Sequence, residues 1–252
     1  MHSAPTESTM SSQNPEEPIY LSGLNAEQKE AVMATEGPVL VLAGAGTGKT
    51  RVLTTRLAHI LRTGKAWPNQ ILAVTFTNKA SKEMKDRVVS LLKEGLPNAQ
   101  NVSVDGWWLG TFHALAARML RKHAELAGLK SDFSIIDTDD QIRLLKQLMG
   151  DAGIDTKKCP PKAIAAQISA WKDQAKPPSK IKPHECGDMA DGKLALIYRQ
   201  YQARLKILNA CDFGDLLLHI ITILKDPQHA HILGEYQARF RYIMVDEYQD
   251  TN

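Results

Sequence analysis

An α/β protein built on a parallel sheet, with a mostly helical segment inserted into it, is predicted by three features of this sequence. Short β-rich apolar runs alternate with helical patterns from residue 38 to residue 128. From about residue 115 to 240 nearly everything then carries helical periodicity, and a single β-rich run, "RYIMVDE" (241–247), follows it. Strand–helix alternation is the rhythm of parallel strands joined by right-handed crossovers. A strand arriving after a long helical stretch is most economically a return to the same sheet.

Each element has a local reason. The opening "MHSAPTESTMSSQNPEEP" contains no Lys or Arg and no apolar centre, which excludes a secretory signal and predicts a disordered leader over 1–18. Asn25 is an N-cap for a helix over 26–35, with Gln28 three positions on. "PVLVLA" (38–43) reads as a strand entering the glycine loop. The next stretch, "KTRVLTTRLAHILRTG", repeats Val52, Leu53, Leu57, Ile60 and Leu61 at helical spacing and stops at Gly64. "ILAVTF" (71–76) is a buried strand, followed by a helix over Lys79–Lys93. "WWLGTF" (107–112) is a third strand, with Trp107 and Trp108 as packing residues, and "HALAARMLRKHAELAG" is its helix. Farther on, Thr138-x-x-Gln141 reads as a capping box and "KLALIYRQYQARLKIL" as a long helix. The expected organisation is the leader, a first α/β part over 19–114, a helical insertion over 115–215, and a return to the sheet over 216–252.

Composition narrows the class. With 252 residues, 43% hydrophobic and 23% charged, the chain can bury a core. A net charge of +3 does not by itself call for nucleic acid. Cys159, Cys186 and Cys211 form no CxxC pair and read as reduced thiols, and His229-x-His231 stands alone, so no zinc cluster is expected. The longest apolar run, "LLLHIITIL" (216–224), is far too short to span a bilayer. The expected compartment is the cytoplasm.

The chemistry starts at Ala43-Gly44-Ala45-Gly46-Thr47-Gly48-Lys49-Thr50. A phosphate loop is written Gly-x4-Gly-Lys-Ser/Thr. Ala43 takes the first position; Gly48, Lys49 and Thr50 match. The glycines free the backbone to turn N–H groups toward phosphates, and the helix starting near Lys49 adds its positive end. Lys49 is suited to the β/γ oxygens and the Thr50 hydroxyl to Mg²⁺. A dinucleotide loop fails, because Gly-x-Gly-x-x-Gly begun at Gly44 needs glycine where Lys49 stands.

A nucleotide engine also needs acids at the end of a buried strand. "YIMVDEYQD" supplies Asp246, suited to hold Mg²⁺ through its water shell, and Glu247, suited to take a proton from an attacking water. An Asp-Glu pair favours ATP hydrolysis over phosphoryl transfer to a small molecule. Guanine specificity is unsupported: Asn78-Lys79 is followed by Ser81 where a guanine reader has aspartate.

"LNAEQKEAV", "AGAGTGKT", "VTFTNKASKEM", "GTFHAL", "DFGDLL" and "VDEYQDTN" occur in that order from Leu21 to Asn252. Together they resemble the ordered motifs of the UvrD/PcrA/Rep group of superfamily 1 DNA helicases. The resemblance implies a RecA-like P-loop NTPase sheet, present here in its N-terminal portion, because relatives continue into a second lobe. It implies ATP and Mg²⁺ as cofactors, single-stranded and junction DNA as partners, and 3′→5′ translocation or unwinding in repair or replication restart. Position by position, Gln28 matches an adenine-reading glutamine, alongside its capping role. Ala43 to Thr50 match the phosphate loop, and Arg51 follows it as in relatives. Gln249 matches a residue coupling the γ-phosphate to the DNA side. Phe76, Thr77 and Asn78 match one DNA-facing loop and Thr111, Phe112 and His113 another; core packing is the alternative for Phe76 and Phe112. Ser81, Tyr248 and Gly214 depart from the usual pattern.

The insertion also carries seven lysines between 157 and 182 (157, 158, 162, 172, 176, 180 and 182), with one acid, Asp173, and Trp171 among them. Such a stretch suits phosphate contacts, or a solvated face. Two other classes remain open: a P-loop ATPase that moves no DNA, and a catalytically idle fragment that binds nucleotide and DNA.

Overall fold

A computed structural model describes residues 18–44, 46–94 and 106–251. The leader expected over 1–18 therefore falls, but for Pro18, outside the described residues, as do Ala45 and Asn252. The chain divides into two compact units, one drawn from Met1–Lys65 and Glu83–Asp105, the other from Ala66–Lys82 and Gly106–Asn252.

In the first unit, helix α1 (Ala26–Met33) opens with the predicted capping box. Asn25 Oδ1 accepts from Gln28 N at 2.8 Å, and Gln28 Oε1 accepts from Asn25 N at 3.1 Å. Its other end is closed from outside, where Arg56 of α2 (Lys49–Arg62) donates to the carbonyls of Ala31 and Ala34. Tyr20, Leu21, Leu24, Val32 and Val52 form the local core. Tyr20 Oη meets His59 Nδ1 at 2.9 Å, and the Arg62 guanidinium lies 4.7 Å from the Tyr20 ring centre.

The segment "PVLVLA" is not a strand. Residues 38–43 carry no ladder bonds, and Leu42 is 86% exposed. A β-rich composition becomes a strand only where a neighbour supplies the hydrogen-bond ladder, and among the described residues none pairs with this run.

The second unit holds the sheet. Strand β1 (Ile71–Thr75) leads into α3 (Asn78–Lys93), and β2 (Trp108–Thr111) leads into α4 (Phe112–Lys122). Short β3 (Ser134–Ile135) precedes α5 (Thr138–Asp151), α6 (Pro161–Asp173) and α7 (Leu194–Ile207). Then come β4 (Ala210–Cys211), α8 (Phe213–Lys225), α9 (Ala230–Arg239) and the returning strand β5 (Tyr242–Val245). The sheet order is β2-β1-β5, all parallel, with Val74 opposite both Gly110 and Val245. The predicted return to the sheet is therefore met: β5 pairs with β1 across more than a hundred residues of intervening chain. β3 and β4 form a separate parallel pair at the two ends of the helical run.

Two apolar clusters fill this unit. One joins the sheet to α4, α8 and α9 around Trp108, whose ring meets Phe240 edge-on at 5.2 Å and carries Arg118 over its face at 4.0 Å. Trp107 and Trp108 are both buried, as expected. The other lies among α5, α6 and α7. Leu194, Ile197, Tyr198, Tyr201 and Leu205 form its α7 stripe, and Trp171 stacks on Tyr198 at 5.8 Å.

Within the helical run one expectation fails and another is narrowed. The cap of α5 is Asp137, whose carboxylate accepts from Asp140 N at 2.9 Å, rather than Thr138. An ionised acceptor one residue earlier satisfies the orphan amide better than a hydroxyl, and Gln141 is released to reach Asp212 at 3.3 Å. The lysine stretch is not one face. Lys172 and Trp171 are buried, and Lys176 pairs with Glu185, while Lys157, Lys158, Lys162, Lys180 and Lys182 are exposed. The period of α6 turns residues 164, 168, 171 and 172 inward.

Ile197 is fully buried in the helical cluster. Its replacement by Ala is expected to cost about 2–5 kcal/mol, read from the shift in urea midpoint. In the first unit, burial first, then the charges of Lys65 and Arg56, hold the His59 imidazole below its ordinary value of 6.5. Because the folded state disfavours the imidazolium, the unfolded state takes up the proton first as pH falls. The stability contribution is complete above 6.5 and is lost toward the lower folded value. His59→Gln, which takes no proton, is expected to flatten part of the decline in thermal midpoint between about pH 7 and pH 5.

Candidate functional site

The predicted site residues fall into two groups, one in each unit. In the first unit the glycine loop closes on itself before α2. Thr47 Oγ1 donates to Gly44 O at 2.8 Å, and Lys49 Nζ reaches Ala43 O at 3.4 Å. Gly48 sits at φ +87°, a left-handed conformation that glycine adopts without strain, and Gly46 at +76°. Gly48 is the N-cap of α2 and brings no capping side chain. The first turn carries no acid, so the positive end of the helix is not offset by a side chain of that turn.

Gln28 fills the capping role assigned to it and also reaches the glycine loop. Its Oε1 completes the α1 cap, while its Nε2 donates to Thr47 O at 2.9 Å and so ties α1 to the loop. A neutral amide retains one further N–H and one further lone pair, enough for a bidentate partner such as an adenine edge. Arg51 projects from the first turn of α2 onto the backbone at Gly23. A Cβ added there would overlap its guanidinium, lying 3.3 Å from Cζ. The donor set of Lys49 ammonium, loop amides and Thr50 hydroxyl fits a polyphosphate with its divalent cation.

In the second unit, parallel pairing brings the C-terminal ends of β2, β1 and β5 to one edge of the sheet. From β5 this edge receives Asp246 and Glu247. Asp246 N continues the ladder to Val74 O at 3.0 Å. Glu247 turns sharply at φ +50°, uncommon for a residue with a Cβ, and its carboxylate accepts from Gln249 Nε2. The coupling residue expected from the resemblance therefore touches the carboxylate expected to act as base.

From β1 the edge receives Phe76, Thr77 and Asn78, and from β2 Thr111, Phe112 and His113. Both threonines cap helices: Thr77 Oγ1 accepts from Ala80 N at 3.1 Å and Thr111 Oγ1 from Ala114 N at 3.2 Å. Each hydroxyl still has its proton to donate. Phe76 is 40% exposed, so it is no core residue, and it meets Phe112 edge-on at 5.4 Å. Asn78 and His113 are exposed.

One further aromatic joins this row. Phe213 is 53% exposed and meets His113 edge-on at 5.9 Å. It keeps helical phase with Leu216 and Ile220, a pattern that by itself predicts burial. It is the first residue of α8, at the helix tip, where phase no longer guarantees cover. Its signal was the aromatic set between Asp212 and Gly214, immediately after a capping acid.

Comparison with known proteins gives the family. The UvrD/REP helicase N-terminal domain matches residues 24–252. DNA helicase II of Rickettsia typhi is 48% identical over 237 residues, covering 92% of this chain and 34% of the relative. The ATP-dependent DNA helicases PcrA of Leuconostoc citreum and Bacillus subtilis are 42% and 41% identical, each covering 92% of this chain and 30% of the relative. The chain thus spans about a third of the length of the curated relatives it matches. Among the described residues no helix is long and apolar enough to cross a membrane. With the family model matching residues 24–252, most of its length, the chain belongs to the UvrD/REP helicase family.

Proposed function

We propose that this chain is the ATP- and single-strand-binding part of an ATP-dependent helicase that moves 3′→5′ on DNA, acting in the cytoplasm on single-stranded and junction DNA in repair or replication restart. Residues 19–114 and 216–252 are its RecA-like part, which supplies the sheet strands β1, β2 and β5, and 115–215 is the helical insertion. Unwinding belongs to the longer proteins of the family. This chain alone binds nucleotide and strand and turns ATP over slowly.

The observation that carries this reading is the shared sheet edge. Asp246 and Glu247 leave β5 beside the Phe76 loop of β1, the strand it is bonded to. A change in how the carboxylates are held is thereby one strand away from the aromatic loops. Gln249, hydrogen-bonded to Glu247, is the residue best sited to pass that change along.

Each residue has a role in this scheme. Ala43 to Gly48 and the first-turn amides of α2 cradle the phosphates, and Lys49 draws charge from the β and γ oxygens. Gln28 and Arg51 orient the base end. In the first unit Thr50 has a hydroxyl suited to Mg²⁺, which neutralises phosphate charge when bound, and in the second Asp246 has a carboxylate of the kind that holds that ion. Glu247 takes the proton from the attacking water. Phe76, Phe112, His113 and Phe213 offer ring faces and edges to unstacked bases, and Thr77, Asn78 and Thr111 offer polar groups to the backbone.

Lys49→Ala is expected to weaken ATP binding at least about tenfold while leaving oligonucleotide affinity unchanged, measured with a fluorescent ATP analogue and a labelled 12-mer. Phe76→Ala should do the reverse, lowering strand affinity about tenfold with nucleotide affinity intact, as loss of one base-stacking ring does. Unaltered ATP affinity in the Lys49 variant would sink the phosphate-site assignment. Glu247→Gln is expected to retain ATP while losing about 10²-fold or more in turnover.

A further inference from the structure

Behind Phe213 lies a buried charge cluster that the function above does not use. Lys172, on α6, has a side chain only 1% exposed, and its ammonium sits 2.6 Å from Asp212 Oδ2 and 2.7 Å from Asp215 Oδ1. Asp212 is the N-cap of α8 and Asp215 its third residue. Each carboxylate accepts the other residue's backbone N–H, at 2.9 and 3.1 Å. Asp212 also accepts from Tyr201 Oη of α7 at 2.8 Å and Gln141 of α5 at 3.3 Å, and Asp215 accepts from Gln202 of α7 at 2.9 Å. Three helices of the helical run thus grip the tip of a fourth.

The grip brackets one exposed ring. Phe213 stands between the two aspartates, directed at His113 rather than into the cluster. The next residue is Gly214, and its missing Cβ is what lets Lys172 through. A Cβ there would lie 2.9 Å from Lys172 Cδ and 3.3 Å from its Cβ. That accounts for glycine at a position where the family pattern often has an acid. A lysine buried against two carboxylates is a costly way to pack four helices, since apolar side chains of the same volume do so at no loss. Its geometric gain is orientation: directional bonds hold the first turn of α8 in one place.

We infer that Lys172 is a positioning residue for the nucleic-acid face, locking the α8 tip through Asp212 and Asp215 so that Phe213 is held against His113 in register for a base. This rests on the single-strand reading of that face.

The test uses the full 252-residue chain and a single-stranded 12-mer carrying 2-aminopurine, whose fluorescence is quenched when it stacks on a ring. Phe213→Ala is expected to lower affinity about tenfold and to remove quenching at one oligonucleotide position. Lys172→Met should reproduce both effects. Gly214→Ala, which keeps every charge and displaces only the lysine methylenes, should reproduce them in weaker form; it decides the matter if Lys172→Met does not fold. In a Phe213→Ala background neither substitution should weaken binding further. ATP-analogue affinity should hold throughout. If the wild-type chain captures no oligonucleotide, the single-strand reading falls and this inference with it. If Phe213→Ala weakens binding but folded Lys172→Met and Gly214→Ala bind and quench like wild type, only the positioning role is overturned. Equal losses with and without Phe213 would overturn it too, because Lys172 would then act through general stability.

Discussion

The hydrogen-bond ladder on both sides of β1 is the constraint from which the second unit follows. β1 pairs in parallel with β2, its near neighbour in sequence, and with β5, which arrives only after the whole helical run. Parallel pairing aligns strand ends, so residues just beyond Thr75, Thr111 and Val245 share one edge. Register matters as much as direction. A slip of one residue in β5 would turn Met244 from the core to solvent and re-aim the acids that follow. The placement of Asp246 and Glu247 is therefore inherited from backbone bonding about strands, not from anything local to the acids.

The helical run meets the demands of burial in two ways. Its own core is apolar and periodic, and Trp171, Tyr198 and Tyr201 fill it. Its junction with α8 is ionic. Of the two buried acids, Asp212 is held below the ordinary carboxylate range by Lys172 and by its hydrogen bonds, against burial. Burial, together with the neighbouring Asp212 charge, raises Asp215. The cluster thereby sets two acids, displaced in opposite directions, around one ammonium through directional bonds. Apolar packing tolerates small slides between helices; this junction does not.

In the first unit, the glycine loop is tied to α1 through Gln28, and the Arg51 guanidinium of α2 lies against Gly23. One glutamine thus serves as cap, as tether and, in the proposed function, as base reader. The two readings considered for it at the sequence level are compatible because an amide has more hydrogen-bonding capacity than a cap consumes.

Local chemistry made much of this protein legible. The loop at Gly48, Lys49 and Thr50, the cap at Asn25, the helices 49–62 and 78–93 and the acids after "YIMV" depend on near neighbours, and periodicity and spacing report near neighbours faithfully. What depended on distant partners was not legible. "PVLVLA" has strand composition but no ladder; Lys172 belongs to a lysine-rich stretch yet points inward; Thr138 lost the cap to Asp137; and Phe213 keeps core phase yet lies exposed at a helix tip. Sequence by itself determined which residues have the types and spacing of a phosphate loop and in what order most of the elements run. Only tertiary structure decided which faces are covered and which strand ends meet, because burial and parallel pairing are contacts between residues far apart in the chain, and no local pattern encodes the partner.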